Sequence, residues 1–169
     1  LGATFSGSFV LLAAVHIVLF GLFITMPFAS QAKVDQSQPS RPLLEILASP
    51  AITAAIVAGA VAYGVMSLVM TATPVSMHQL DGFQLEETKS VIQSHILAMF
   101  IPSLFAPWLF RRLGLAGMLL GGLSALTGAI SIALLDQSYW GYWVALVLLG
   151  VGWNFLFVGG TSLLAQSYD

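Results

Sequence analysis

The chain has no cysteine. Disulfides, thiolate metal sites and cysteine nucleophiles are therefore excluded, and the residues leave the redox compartment undetermined. Charge is almost as scarce. Only 7% of the 169 residues are Asp, Glu, Lys or Arg, against roughly a quarter in an average soluble domain. A water-soluble surface cannot be made from so few. The five basic residues form no patch, which argues against nucleic acid as a partner. A P-loop, a nucleophile elbow and paired acidic residues within an apolar segment are also missing, so no enzymatic chemistry is indicated. The chain opens at Leu1, almost inside an apolar run, with no initiator Met and no charged leader. That start reads as the interior of a longer chain rather than as a signal peptide.

What the chain has in excess is apolar length. Hydrophobic residues make up 58% of it, and the mean hydropathy is +0.94. The hydropathy is blocked into five segments, at residues 9–28, 51–75, 91–110, 115–135 and 139–164. Each supplies the roughly 20 residues that a membrane-spanning helix needs. Barrel strands would be about half as long and would alternate. The expected fold is all-α: a polytopic membrane protein with five transmembrane helices in a lipid bilayer.

The connections differ in kind. Residues 30–50 are rich in Pro, Ser and Gln and read as a linker, residues 76–90 as a shorter polar loop with Asp81, Glu86, Glu87 and Lys89. Arg111-Arg112-Leu113-Gly114 reads as a tight basic turn and Asp136-Gln137-Ser138 as a tight acidic one. Lys33, Arg41, Arg111 and Arg112 fall in the first and third connections, which share one side of the membrane. The excess of basic residues marks that side as cytoplasmic. The last segment then begins at the outer interface, where Tyr139, Trp140, Tyr142 and Trp143 suit an aromatic belt. Gly117-x-x-x-Gly121 is a small-xxx-small pattern, which suits close helix packing.

Polar and sulfur-bearing residues inside the spans are the candidates for function, because each is costly there or unusually adaptable. Met66 and Met70 are one helical turn apart, as are His95 and Met99, so each pair shares a helix face. On antiparallel neighbouring spans the two pairs fall at matching depths. Thioethers favour Cu(I) and imidazole suits copper. A set of three Met and one His carries no formal charge when empty and so avoids the cost of a buried ion. Against this stand ordinary core packing for the methionines and, for His95, a helix-bonding or proton-transfer role. Met77 and His78, just beyond the second span, are a candidate outer capture point for metal or simply loop. His16, alone on an apolar face, reads as bonded to a neighbouring helix. Asn154 could equally hold helices together or line a pathway.

Residues 69–74 (VMTATP), 91–100 (VIQSHILAMF) and 149–161 (LGVGWNFLFVGGT) resemble bacterial major facilitator superfamily transporters. The basic turn resembles the loop between helices eight and nine of that fold, with Pro107 and Arg111 where the family motif has Gly and Asp. The resemblance implies that the five segments are helices six to ten of twelve. Residues 1–29 would hold the last helix of the N-terminal half, 30–50 the central cytoplasmic linker, and 51–169 the first four helices of the C-terminal half. The paired Met and His–Met motifs are similar to those of CcoA-type copper importers. That likeness implies copper uptake across a bacterial inner membrane by alternating access, with Met66, Met70, His95 and Met99 as ligands and copper as cargo rather than cofactor. Two alternatives stand beside it: a proton-coupled exporter of small molecules, and a non-transporting structural or assembly subunit. Partners would be the absent helices of the same transporter or another membrane subunit.

Overall fold

The computed structural model describes residues 6–26 and 42–167. These are almost wholly helical, with no strand among the described residues. The chain divides into two bodies at Ser40. The first contains α1 (Ser6–Thr25). The second contains α2 (Leu43–Leu47), α3 (Pro50–Val75), α4 (Leu85–Leu104), α5 (Ala106–Leu135) and α6 (Tyr139–Gln166). Lys33 and Arg41, half of the topology argument, lie outside the described residues, as does most of the expected linker.

Among the described residues, four stretches are long and apolar enough to cross a membrane: Gly7–Thr25, Pro50–Leu80, Ala106–Leu135 and Tyr139–Gln166. The third expected span is a helix with other bounds. Segment three is not one apolar run from 91 to 110. Its helix starts at Leu85, so its first turns carry Glu86, Glu87 and Lys89, and this charge keeps it out of the apolar set. The early start has a local cause. The Gln84 backbone N–H donates to the Glu87 carboxylate at 2.9 Å, and the Gln84 side chain caps the first turn in return, a reciprocal capping box. The helix ends at Leu104, soon after Pro102, and Phe105 interrupts it with φ −107° and ψ 11°. Proline supplies no N–H to the helix ladder and clashes with the preceding turn. The basic turn appears as a kink at Gly114, whose φ of 67° suits glycine above other residues.

The expected loop at 76–90 also shrinks. Beyond Pro74, α3 continues through one π-helical turn, Ser76–Leu80, and only residues 81–84 connect it to α4. Such wide turns are the usual response to an interrupted helix ladder.

Helix α6 is the axis of the second body: α3, α4 and α5 all pack on it. The directions can be read from residue pairs. Ser90, Ser94 and His95 of α4 bond Tyr139, Trp143 and Leu146 in rising order, so α4 and α6 are parallel. On α5, Gly122 meets Gly152 and Leu156, whereas Gly128 meets Leu148; numbers rise on one helix as they fall on the other, so these two are antiparallel. Tyr63 beside Trp153, and Ser76 bonded to Tyr142, make α3 antiparallel to α6 as well. This alternation matches that expected of consecutive spans.

Glycine makes the closest approaches possible. A Cβ on Gly150 would stand 2.7 Å from the His95 carbonyl and 2.9 Å from Ala98 Cβ. One on Gly122 would stand 2.8 Å from Leu156 and 3.0 Å from the Gly152 carbonyl. The expected pair is not where this happens. Gly117 is crowded only by Leu113 of its own helix, and Gly121 would meet the Phe155 ring at an ordinary 3.4 Å.

Candidate functional site

The seam between α4 and α6 holds a ladder of polar contacts. Tyr139 donates to Ser90 Oγ at 3.4 Å and Trp143 Nε1 donates to Ser94 Oγ at 2.9 Å. One level deeper, His95 Nδ1 lies 2.8 Å from the Leu146 carbonyl. A carbonyl can only accept, so Nδ1 carries the proton in that contact. His95 is 1% exposed, and its Nε2 is buried without a partner among the described residues. Deeper still, Asn154 Nδ2 donates to the Met99 carbonyl at 2.7 Å and to Ser103 Oγ at 2.5 Å. These acceptors flank Pro102, where α4 is about to break. Asn154 therefore holds a weakened helix end against α6, which favours the helix-holding role over the pathway role.

Helix α6 also acts as a ruler for the proposed ligands. Met66 and Met99 pack against one buried cluster that includes Leu149 and Trp153. Met70, between Tyr63 and Ser76 on α3, falls between their α6 partners Trp153 and Tyr142, the stretch that includes the His95 level. Met66, Met70 and Met99 are half-buried. No cluster of three or more His, Asp or Glu suited to a metal occurs among the described residues. The ionic ligands of a hard-metal site are thus missing, while the thioether set is left as it was.

One sequence-based expectation fails here. Met77 is wholly buried, against Val91, Tyr142 and Leu146, because the π-helical turn carries it inward; it cannot present sulfur at the surface. His78 is exposed and its Nδ1 bonds the Phe83 carbonyl at 2.9 Å. The pair is not an outer capture point. His16 Nδ1 lies 2.7 Å from the Leu12 carbonyl of its own helix. The aromatic belt is also thinner than expected. Trp140 is exposed, but Tyr142 is buried, donating to Asp81 Oδ2 at 2.6 Å with its oxygen 2.6 Å from Ser76 Oγ.

The sequence reading passed over a third feature, an aromatic cluster at the α3–α6 seam. Trp153 and Phe157, one turn apart on α6, stack with centroids 5.0 Å apart and planes 8° from parallel. Tyr63 of α3 stands edge-on to Trp153 at 6.0 Å and tilted to Phe157 at 6.5 Å. Trp153 is 8% exposed, Phe157 38% and Tyr63 54%. The indole Nε1 of Trp153 is buried without a partner among the described residues. A signal was available: Tyr63 and Trp153 sit near the middles of their helices, whereas such residues in membrane proteins gather at the interfaces.

The chain is similar to known transporters along almost its whole length. It is 36% identical over 172 residues to the riboflavin transporter RfnT of Brucella anthropi, which covers 98% of the chain and 42% of that protein. Bacillus subtilis YddS, named an uncharacterized MFS-type transporter, is 33% identical over 180 residues, or 96% of the chain and 39% of its own length. YdeG of the same organism, named likewise, is 40% identical over 107 residues, or 62% of the chain and 25% of its own length. The chain therefore spans about two-fifths or less of the relatives it matches. No family model matches it, and no solved structure does. An all-helical, membrane-suited chain with relatives of these names is supported as part of a major facilitator superfamily transporter.

Proposed function

We propose that this chain is part of a transporter that moves a small organic solute across the membrane, with riboflavin or a similar planar heteroaromatic as the favoured cargo. The observation that carries this reading is the 36% identity to a riboflavin transporter over 98% of the chain. The fold agrees in kind. Alternating access needs helices that pack closely enough to move as a body, and α6 with its three neighbours forms such a body. In transporters of this architecture the cargo site lies near the bilayer midplane.

A second reading has its own observation. The bond from His95 Nδ1 to the Leu146 carbonyl leaves Nε2 as the unprotonated nitrogen, the arrangement in which histidine ligates a metal. Met66 and Met99 pack on one cluster nearby. Copper uptake through Met66, Met70, His95 and Met99 therefore stands as the alternative, with copper as cargo.

One experiment separates the readings. The full-length gene is placed in a bacterial host that neither makes nor takes up riboflavin, and riboflavin uptake and copper accumulation are both measured. Riboflavin uptake above the empty-vector control, with copper unchanged, supports the first reading. Copper accumulation lost in Met66→Leu/Met99→Leu, with no riboflavin uptake, would replace it by the second.

A further inference from the structure

The aromatic cluster at the α3–α6 seam is unusual in three respects. It lies near the midpoints of both helices rather than at their ends. It contains a tyrosine more than half exposed, and a phenol at that depth facing hydrocarbon would have no partner for its hydroxyl. It also contains an indole N–H that is buried and unpaired, where burial without a hydrogen bond is unfavourable. Packing between α3 and α6 leaves the indole N–H unpaired among the described residues. A leucine or phenylalanine at 63 or 153 would fill the seam with no polar atom left over. The three become consistent if the cluster meets something flat that also accepts hydrogen bonds.

We infer that Tyr63, Trp153 and Phe157 form the binding platform for the planar ring system of the cargo. This rests on the proposed organic-solute reading and gives it a place in the fold. The open faces of Tyr63 and Phe157 offer stacking surface, which suits any extended heteroaromatic ring. The Trp153 N–H is hidden in this conformation, so a ring carbonyl reaches it only when Tyr63 or Phe157 shifts. Stacking then supplies general affinity for flat rings, and the indole donor selects those carrying an acceptor at their edge. Neither a metal ion nor an aliphatic solute would use this arrangement. Met66 and Met99 pack on the cluster that includes Trp153, whereas His95 bonds across the α4–α6 seam.

The test is riboflavin binding to the purified full-length protein in nanodiscs, followed by quenching of flavin fluorescence. The variants are Tyr63→Ala, Tyr63→Phe, Trp153→Phe and, as control, Phe155→Ala, which removes a ring elsewhere on α6 against Gly121. Tyr63→Ala is expected to weaken binding about 5- to 100-fold, the range for loss of one stacked ring. Tyr63→Phe keeps the ring and should retain most of the affinity. Trp153→Phe preserves an aromatic core residue and isolates the indole donor; a loss of about 5-fold or more is expected for riboflavin, with little change for a flat hydrocarbon dye. Phe155→Ala should bind as the native protein does. Native riboflavin binding unaffected by Tyr63→Ala and Trp153→Phe would overturn the platform while leaving the cargo intact. No riboflavin binding by the native protein would overturn both.

Discussion

Helix α6 meets α5 and α4 by different means. Toward α5 it presents glycine: Gly152 lies over Gly122, with Leu126 and Leu156 closing around them. Toward α4 it presents donors and a carbonyl, through Tyr139, Trp143, Leu146 and Asn154. The first contact gains from short distance and is indifferent to hydrogen-bond geometry. The second fixes register, because each bond is made at one offset only. Between lipid and helix there is no hydrophobic gain from association, so close packing and hydrogen bonds are the two means left. Toward α5 this body uses close packing, and toward α4 it adds hydrogen bonds to the close approach of Gly150.

Four substitutions would break or sharpen that contrast, read as thermal or SDS-induced unfolding of the full-length protein. Gly150→Ala should be the most damaging. Its Cβ would press on the α4 backbone at 2.7 Å, and forcing the helices apart costs about 1–3 kcal/mol. Asn154→Leu follows, since it removes both bonds to the end of α4 and leaves Ser103 unpaired; about 1–2 kcal/mol is expected. Trp143→Phe removes a single bond to Ser94 and should cost about 0.6 kcal/mol. Gly121→Ala should be neutral to within about 0.5 kcal/mol, because its new methyl meets only the Phe155 ring at ordinary contact distance. If Gly121→Ala proved as harmful as Gly150→Ala, close approach would not be what distinguishes these glycines.

The smallest effect belongs to the connection between α5 and α6. The Ser138 backbone N–H donates to Asp136 Oδ1 at 2.9 Å, and this bond, with help from the Ser138 side chain, holds the Asp136 carboxyl below its ordinary value. A depressed carboxylate pKa contributes stability above the unfolded-state value that is lost as pH falls through the folded one. Unfolding curves should therefore show a slight acid-side loss, below about pH 4, that Asp136→Asn removes.

Much of the fold was legible because hydrophobic blocks of span length have few other readings. The alternating helix directions followed from segment order. The start of α4 was not legible by hydropathy, because a capping box at Gln84 and Glu87 extends the helix through charged residues. The break at Phe105 was hidden inside an apolar run; Pro102 was its only mark. Which glycines touch a neighbour depends on the rotation of each helix about its axis, and a Gly-x-x-x-Gly pattern does not report that. Met77 was misread because a π-helical turn swings the next residues through a different angle from the one an α-helix would give. The aromatic cluster joins two residues far apart in sequence, so only the mid-span depth of Tyr63 and Trp153 could have hinted at it.

The most direct test sets Tyr63 against the thioethers in one transport assay. Riboflavin uptake by the full-length protein would be compared with that of Tyr63→Ala and of Met66→Leu/Met99→Leu, which keeps side-chain volume but removes both thioethers, at matched membrane levels. Tyr63→Ala should lose most uptake and the methionine variant should keep it. Uptake lost with the methionines and retained in Tyr63→Ala would contradict the platform.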